Sequence, residues 1–597
     1  MYWFKSHNYL GVFLIMSDIV SRSCMFSLHI PISNTKYEDV HMVKERITYQ
    51  DGSIKPNLRF IKNFKRPFWV VKPELRNYNE KKEYEDMSNL IQYFSTESKL
   101  RDNVAKAIGK KGSRDYLRQL LNSPYVYGAD VPSESLIKNM YREKYPDYVS
   151  TYEVSMLDTE TDVLHGTEEI ILITVTYKNI IYTAVVKDYI KNIENPVAKE
   201  RELVDKYLGD KIDTTQYEFI LDIATSPMDA VAKAFDKLHE YKPDFVAIWN
   251  MEFDLNKILE TCNKYGVDPK NLFSDPKVPE ELRYFKYKRG STFKVTASGK
   301  RKPKAPYELW NTVVSTSSFY FIDAMCAYKY IRLSKAEEPS YSLDAILNKE
   351  LKLGKLKFDE AKMLENSIEW HRFMQEKYPL EYIVYNRFDC ISMILLDNKT
   401  NDLKAVVPVF SGLSPFSYFN SQPKLIGNSL YFFLLSKDKV LATVGAEEPK
   451  RDANGRVIVE EEADYVDEED DGEEYESNNI LSLKKWTVVL PNAFMDDSSF
   501  ADVIKENVTN RSNVRTYIYD FDAVSSYPSD LISLNISKAT TSKEIVDIKD
   551  EKEISIDEDL FRRQNINLLY GHTNVLEYCV NMFNFPTPDE LLAYVNK

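Results

Sequence analysis

Apolar and polar positions alternate with a period of two over residues 152–162 (YEVSMLDTETD), which predicts a strand opening into a polar turn. Asp158 and Glu160 share one face of it. Two β-branched runs follow at 169–177 and 181–186, joined at Lys178-Asn179 in the manner of a hairpin. Helical periodicity covers 227–241 and ends before Pro243. A short apolar run, 245–249, predicts a buried strand. The sequence Asn250-Met-Glu-Phe-Asp254 then puts Asp254 at a strand-to-helix junction, with a helix over 255–265. A further strand is expected at 319–323 and a helix at 342–351. A longer helix is expected at 381–396, where Tyr385 and Asp389 lie four apart and project from one face.

Three stretches outside this pattern are rich in charge. Residues 54–72 (IKPNLRFIKNFKRPFWVVK) interleave six basic side chains with apolar ones, as a strand region facing phosphates or a solvated strand face would. A basic helical segment is expected over 103–121. Residues 283–304 carry nine Lys or Arg and no acid, with Gly290 and Gly299 as turn points, which predicts a protruding basic hairpin. Its cations Lys286, Lys288, Arg289, Lys294, Lys300, Arg301 and Lys302 alternate with Tyr284, Phe285 and Tyr287. That suits a nucleic-acid contact, with a solvated loop as the alternative.

The net charge of −14 resides mostly in one block. Residues 460–476 hold twelve Asp or Glu and no Lys or Arg, so the remainder is close to neutral, at about −2. The block lacks apolar periodicity and is expected to be a disordered insert that repels DNA, docks a basic partner, or is an inert solvated loop. Five scattered cysteines without a Cys-x-x-Cys pair argue for a reducing, cytoplasmic setting and against disulfides or a structural zinc. The apolar run 9–16 is too short to span a bilayer. It is expected to be a core strand, or to precede a true start at Met16; Lys5 before it would suit a signal peptide, but no cleavage site follows.

Asp158 and Glu160 side by side repel each other and call for a cation between them. Asp158-Thr-Glu160, Asn250-x-x-Phe-Asp254 and Tyr385-x-x-x-Asp389 resemble, in order and spacing, the three exonuclease motifs of the proofreading domain of family B DNA polymerases. Pro339-Ser-Tyr-Ser-Leu-Asp344 and Gly354-Lys-Leu-Lys-Phe-Asp359 resemble the T-even-type phage members, and the basic hairpin falls where these carry a strand-separating hairpin. The resemblance implies a ribonuclease-H-like fold, consistent with a three-strand meander followed by a helix and a strand. It also implies two Mg²⁺ or Mn²⁺ ions, about 4 Å apart, held by Asp158, Glu160, Asp254 and Asp389. Tyr385 would orient the attacking water, and Asn250 and Phe253 would shape the pocket for a frayed 3′ end of DNA.

Downstream, Asp522-Ala-Val-Ser-Ser-Tyr527-Pro-Ser529 resembles motif A of the polymerase palm. By that resemblance Asp522 and the Ala523 carbonyl would bind catalytic metals, and Ser525, Ser526 and Tyr527 would contact the nucleotide. Tyr527 would exclude a 2′-hydroxyl, while Ser526 stands where the family has Leu. No Asp-Thr-Asp motif C follows. The stretch Arg563-Gln-Asn-Ile-Asn567-Leu-Leu-Tyr-Gly571 only imitates motif B, lacking its Lys.

The expected class is mixed α/β and multidomain. It comprises an N-terminal mixed domain (1–150), a ribonuclease-H-like 3′–5′ exonuclease domain (151–402), a return to the N-terminal domain (403–443), the acidic insert (444–480) and the start of a palm (481–597). The expected function is the N-terminal part of a DNA-directed DNA polymerase. A separate C-terminal half would be needed before dNTPs are used, and the family allows a sliding clamp as a further partner; no membrane is expected. A free-standing 3′–5′ exonuclease and a non-catalytic DNA-binding subunit are the alternatives.

Overall fold

Runs of alternating or continuous apolar residues at the start of the chain form β1 (Ile19–Ile30), β2 (Val40–Tyr49) and β3 (Ile54–Lys62), an antiparallel sheet with β2 in the middle. The computed structural model describes residues 19–31, 37–112, 115–146, 151–295, 301–333, 337–364, 368–443, 566–568 and 571–573. The apolar run 9–16 and the acidic insert lie outside them. Asn63, in the left-handed region (φ 52°), ends β3. The chain then enters a second sheet, where Arg66–Val71 runs between Leu90–Ser95 and Val126–Tyr127.

The basic stretch 54–72 is thus two strands in two sheets. Lys55, Arg59 and Lys62 are exposed on β3, whereas Arg66 is buried, bonding both Glu97 oxygens (3.0 and 2.7 Å) and the carbonyls of Ala129 and Val131. Lys65, between the two strands, is also exposed, so Arg66 is the cation that burial removes from any contact with phosphates. The segment 103–121 divides between the helices Leu100–Ala107 and Leu117–Leu121.

A six-stranded mixed sheet follows: β4 (Val154–Thr161), β5 (Ile170–Tyr177), β6 (Ile180–Val186), β7 (Glu218–Ala224), β8 (Phe245–Ile248) and β9 (Tyr320–Asp323). Its order is β7-β6-β5-β4-β8-β9, and only β5 runs against the rest. The β4–β5–β6 meander turns at Lys178 (φ 55°), while β7 is an edge strand that the periodicity does not announce.

One face of the sheet is covered by α1 (Pro227–Tyr241) and α2 (Met251–Lys264). Ser226 caps α1 by accepting from the Asp229 N–H, and Ala230, Val231, Ala234, Phe235 and Leu238 form its buried stripe. The chain continues through α3 (Ala324–Ile331), α4 (Leu343–Leu351) and α5 (Pro379–Thr400). Helix α5, buried along most of its length, packs on the other face against β4 and β5. Among the described residues no helix is long and apolar enough to cross a membrane.

Charge, not only apolar contact, fastens the first sheet to the central one. Lys44 of β2, fully buried, donates to the carbonyls of Lys242 (2.9 Å), Pro243 (3.1 Å) and Ser318 (2.6 Å) at the entries to β8 and β9. Arg46 donates to Asp244 (2.6 Å) and pairs with Glu153 (3.1 Å), and Asp244 also accepts from the Glu153 N–H (2.9 Å). Farther along, Lys439–Leu441 pairs with Tyr84–Asp86. In a separate unit, 476–597, Ile566–Leu568 and Gly571–Thr573 form an antiparallel pair. The motif-B-like stretch therefore contains strand where that motif needs a helix.

Removing one partner from a buried charge cluster strands the others. Asp244→Ala is expected to lower unfolding free energy by about 3–5 kcal/mol in a denaturant titration; a change under about 1 kcal/mol would contradict this role.

Candidate active site

Two backbone elements bring the acidic side chains together. On β4 the period of two sends Asp158 and Glu160 to one side, and on α5 a stripe of Tyr382, Tyr385, Asn386 and Asp389 faces them, at the i, i+3, i+4, i+7 spacing of one helical face. One carboxylate oxygen from each of Asp158, Glu160 and Asp389 lies within 4.8 Å of the others. Asp389 is buried, whereas Asp158 and Glu160 are half-buried and reachable from solvent.

Asp254 stands beside this trio and not within it. It lies in the first turn of α2, where its Oδ1 accepts from the Thr159 N–H (2.9 Å) and the Thr159 hydroxyl (2.6 Å). It is nevertheless the charged neighbour that repels Asp158 most strongly. Because β4, β8 and β9 are parallel, Asp158 and Glu160, Asp254 and a further acid, Asp323, all lie toward the carboxyl ends of their strands, where open α/β sheets place ligands. Asp323 is spoken for by structure: it accepts from the Met251 N–H (3.0 Å) and the Cys326 N–H (2.9 Å), capping α2 and α3 together.

Each acid has a dedicated partner. Asn386 donates to Asp158 (2.6 Å), and Tyr382 donates to Glu160 (2.5 Å) while in contact with His371 Nδ1 (2.8 Å). Burial lowers His371 to about 4, which leaves the imidazole neutral. The Lys355 ammonium donates to Asp389 (2.6 Å) and to the Tyr385 oxygen (2.8 Å). Burial opposes that charge, but Asp389 and Tyr385 outweigh it and hold Lys355 well above its ordinary value. Burial and the Asp389 charge keep the Tyr385 phenol neutral.

These partners do not neutralise the site. Burial, then repulsion from Asp254, Glu160 and Asp389, raises Asp158 well above the carboxylate range. Burial pushes Glu160 up to about 8 and Asp254 to about 7, and raises Asp389 despite Lys355. Asp389 Oδ1 and Asn386 Oδ1 are buried without a hydrogen-bond partner. An all-oxygen donor set with surplus negative charge and a waiting Asp389 oxygen fits a hard divalent cation, and the group could hold one.

Other predicted residues fall differently. Asn250 adopts the left-handed conformation (φ 66°) that turns the chain from β8 into α2, and its side chain makes no cap bond, so its position is explained by backbone geometry. Phe253, 47% exposed, stands one residue before Asp254. Within 283–304, Phe293–Val295 and Arg301–Pro303 form an antiparallel pair, and Phe285–Lys288 pairs with Thr312–Ser315 in a second antiparallel pair that encloses the first and extends beyond the stretch. Phe285 and Tyr287, both half-buried, pack against one core cluster and Tyr284 against its neighbour.

Lys286, Lys288 and Lys302 are exposed, and Arg289 pairs with Glu252 in the first turn of α2. Lys294 and Arg301 occupy the paired strands. Lys300, Asp522, Ala523, Ser525, Ser526 and Tyr527 lie outside the described residues. Lys355, Tyr382, Asn386, His371 and Asp323 are the members that sequence reasoning missed, although Lys355 sits inside the quoted Gly354–Asp359 stretch.

No protein-family model matches this chain, and no curated protein matches it.

A carboxyl group with a raised pKa binds its proton more tightly in the folded chain than in the unfolded one. Its contribution is therefore present at low pH and lost as pH rises through the folded value. In chelator, the melting temperature is expected to fall as pH rises from the ordinary carboxylate range through about 7 to 8, the values of Asp254 and Glu160. Glu160→Gln should flatten that fall. A melting curve that rises or stays level over this window would contradict the repulsion described.

Proposed function

We propose that residues 151–402 are a divalent-metal-dependent 3′–5′ exonuclease acting on DNA, the proofreading part of a family B DNA polymerase of T-even phage type. The observation that carries this is the meeting of Asp158, Glu160 and Asp389 within 4.8 Å, with Asp254 beside them. Support for a ribonuclease-H-like sheet comes from the β4–β5–β6 meander followed by a helix and a parallel strand next to β4. Asp158, Glu160, Asp389 and Asp254 would hold Mg²⁺ or Mn²⁺, which when bound supplies Lewis-acid activation of water and charge neutralisation at phosphate.

The remaining chemistry belongs to the chain itself. Lys355 donates to the Tyr385 oxygen, and the neutral phenol, beside Asp389, would orient a water at the terminal phosphodiester. The same ammonium, beside Asp389, offers positive charge to phosphate oxygens as negative charge builds on them. Asn386 and Tyr382 fix the Asp158 and Glu160 carboxylates so that little reorganisation is needed when substrate arrives. Phe253 offers an exposed ring to a terminal base next to Asp254, and Lys286 and Lys288 offer charge to the backbone of a strand. The product is a deoxynucleoside monophosphate and the substrate a frayed 3′ end. Nucleotide addition would rest on Asp522 and on palm residues beyond those described.

With purified full-length chain and Mg²⁺, a 3′-mismatched primer should be shortened stepwise. The double substitution Asp158→Ala, Glu160→Ala should slow this by at least about 1,000-fold while raising the melting temperature in chelator, because repulsion is relieved. Wild-type rates equal to those of the double variant would remove the assignment. Lys355→Ala should cost about 100-fold in kcat, with a smaller effect on KM; an unchanged kcat would take Lys355 out of the reaction.

A further inference from the structure

The antiparallel register of β1 and β2 sets His29 directly opposite His41, with ring centroids 5.0 Å apart. Asp39, two residues before His41, shares its face. One ligating atom from each of the three lies within 4.8 Å of the other two. His41 is fully buried and neither of its ring nitrogens has a hydrogen-bond partner. An imidazole taken out of water in this way has lost its solvent hydrogen bonds with nothing in return. Asp39, its side chain 1% exposed, accepts from the Glu97 N–H through Oδ2 (2.9 Å) and hydrogen-bonds His29 Nε2 through Oδ1. The His29 side chain, 24% exposed, is the way in from solvent.

We propose that His29, Asp39 and His41 form a binding site for a first-row transition cation of the zinc class, distinct from the carboxylate cluster between β4 and α5. Two imidazoles and one carboxylate suit Zn²⁺, whereas Mg²⁺ prefers oxygen donors and water. Burial lowers His41 to about 4, which leaves it neutral with a lone pair to give. The proton shared by His29 and Asp39 occupies a ligand position and is released on metal uptake.

Glu97 and Glu134 add negative charge around the site, and Arg66, the nearby cation, is engaged by Glu97. Asp39 also accepts from the Glu97 N–H just past the strand Leu90–Ser95, so a bound cation would fix the carboxylate through which the first sheet meets the second.

The test is a Zn²⁺ titration of the chelator-treated full-length chain in excess Mg²⁺, read by metal content, melting temperature and X-ray absorption. One tightly held Zn²⁺ per chain is expected, with imidazole nitrogens at about 2.0–2.1 Å and a melting temperature that rises with Zn²⁺. His29→Gln and His41→Leu should each weaken uptake by at least about 100-fold, while Asp158→Ala leaves it intact. Should His41→Leu fail to fold, His29→Gln, at a partly exposed position, decides alone. Absence of stoichiometric Zn²⁺, uptake unchanged in His29→Gln, or uptake lost in Asp158→Ala would overturn the proposal.

Discussion

Like charges held together against their own repulsion are the constraint around which the central part of this protein is arranged. Asp158, Glu160 and Asp389 meet at the face of β4 with Asp254 alongside, and one ammonium, Lys355, answers them. At the separations seen here, several carboxylates with partial burial cannot all ionise without a further cation. The backbone keeps them there because the strand and helix that carry them are fixed by interactions elsewhere.

Those fixing interactions are specific. Arg387, fully buried on α5, reaches away from the acids to Glu200 (3.2 Å), the Thr183 hydroxyl (3.1 Å) and the Ile220 carbonyl (3.0 Å), which sets the rotation of the helix that presents Tyr385 and Asp389. Gln375 clasps the end of β4 and the loop after it, donating to the Thr161 carbonyl (2.8 Å) and accepting from the Val163 and Leu164 N–H groups. Asp323 ties the start of α2, and so Asp254, to the end of β9. Behind them, Lys44, Arg46 and Asp244 hold the sheet against the N-terminal strands. A rigid frame is what a preorganised charged site requires.

Much of this was legible in the chain because it depends on local periodicity. The period of two places Asp158 beside Glu160, helical spacing joins Tyr385 to Asp389, and both survive without knowledge of the fold. What was not legible depends on tertiary approach. Lys355 comes from an irregular stretch whose spacing names no partner, and Tyr382 and Asn386 read as ordinary helix positions until β4 is known to lie opposite. The antiparallel pair within 283–304 was legible from its turn residues, but its extension was not: Phe285 and Tyr287 pack on the core, and their strand pairs with Thr312–Ser315 beyond the stretch. The His29–His41 pairing required a strand register that no short-range signal specifies.

The chemistry and the stability of the site are two consequences of one charge distribution. Repulsion that destabilises the metal-free fold is what would favour cation binding, while the neutral Tyr385 and its ammonium neighbour Lys355 border the same acids. The most direct measurement is anomalous X-ray diffraction from crystals of the full-length chain soaked in Mn²⁺. A manganese peak ligated by Asp158, Glu160 and Asp389 is the predicted result; manganese absent from that position at saturating concentration would contradict the account.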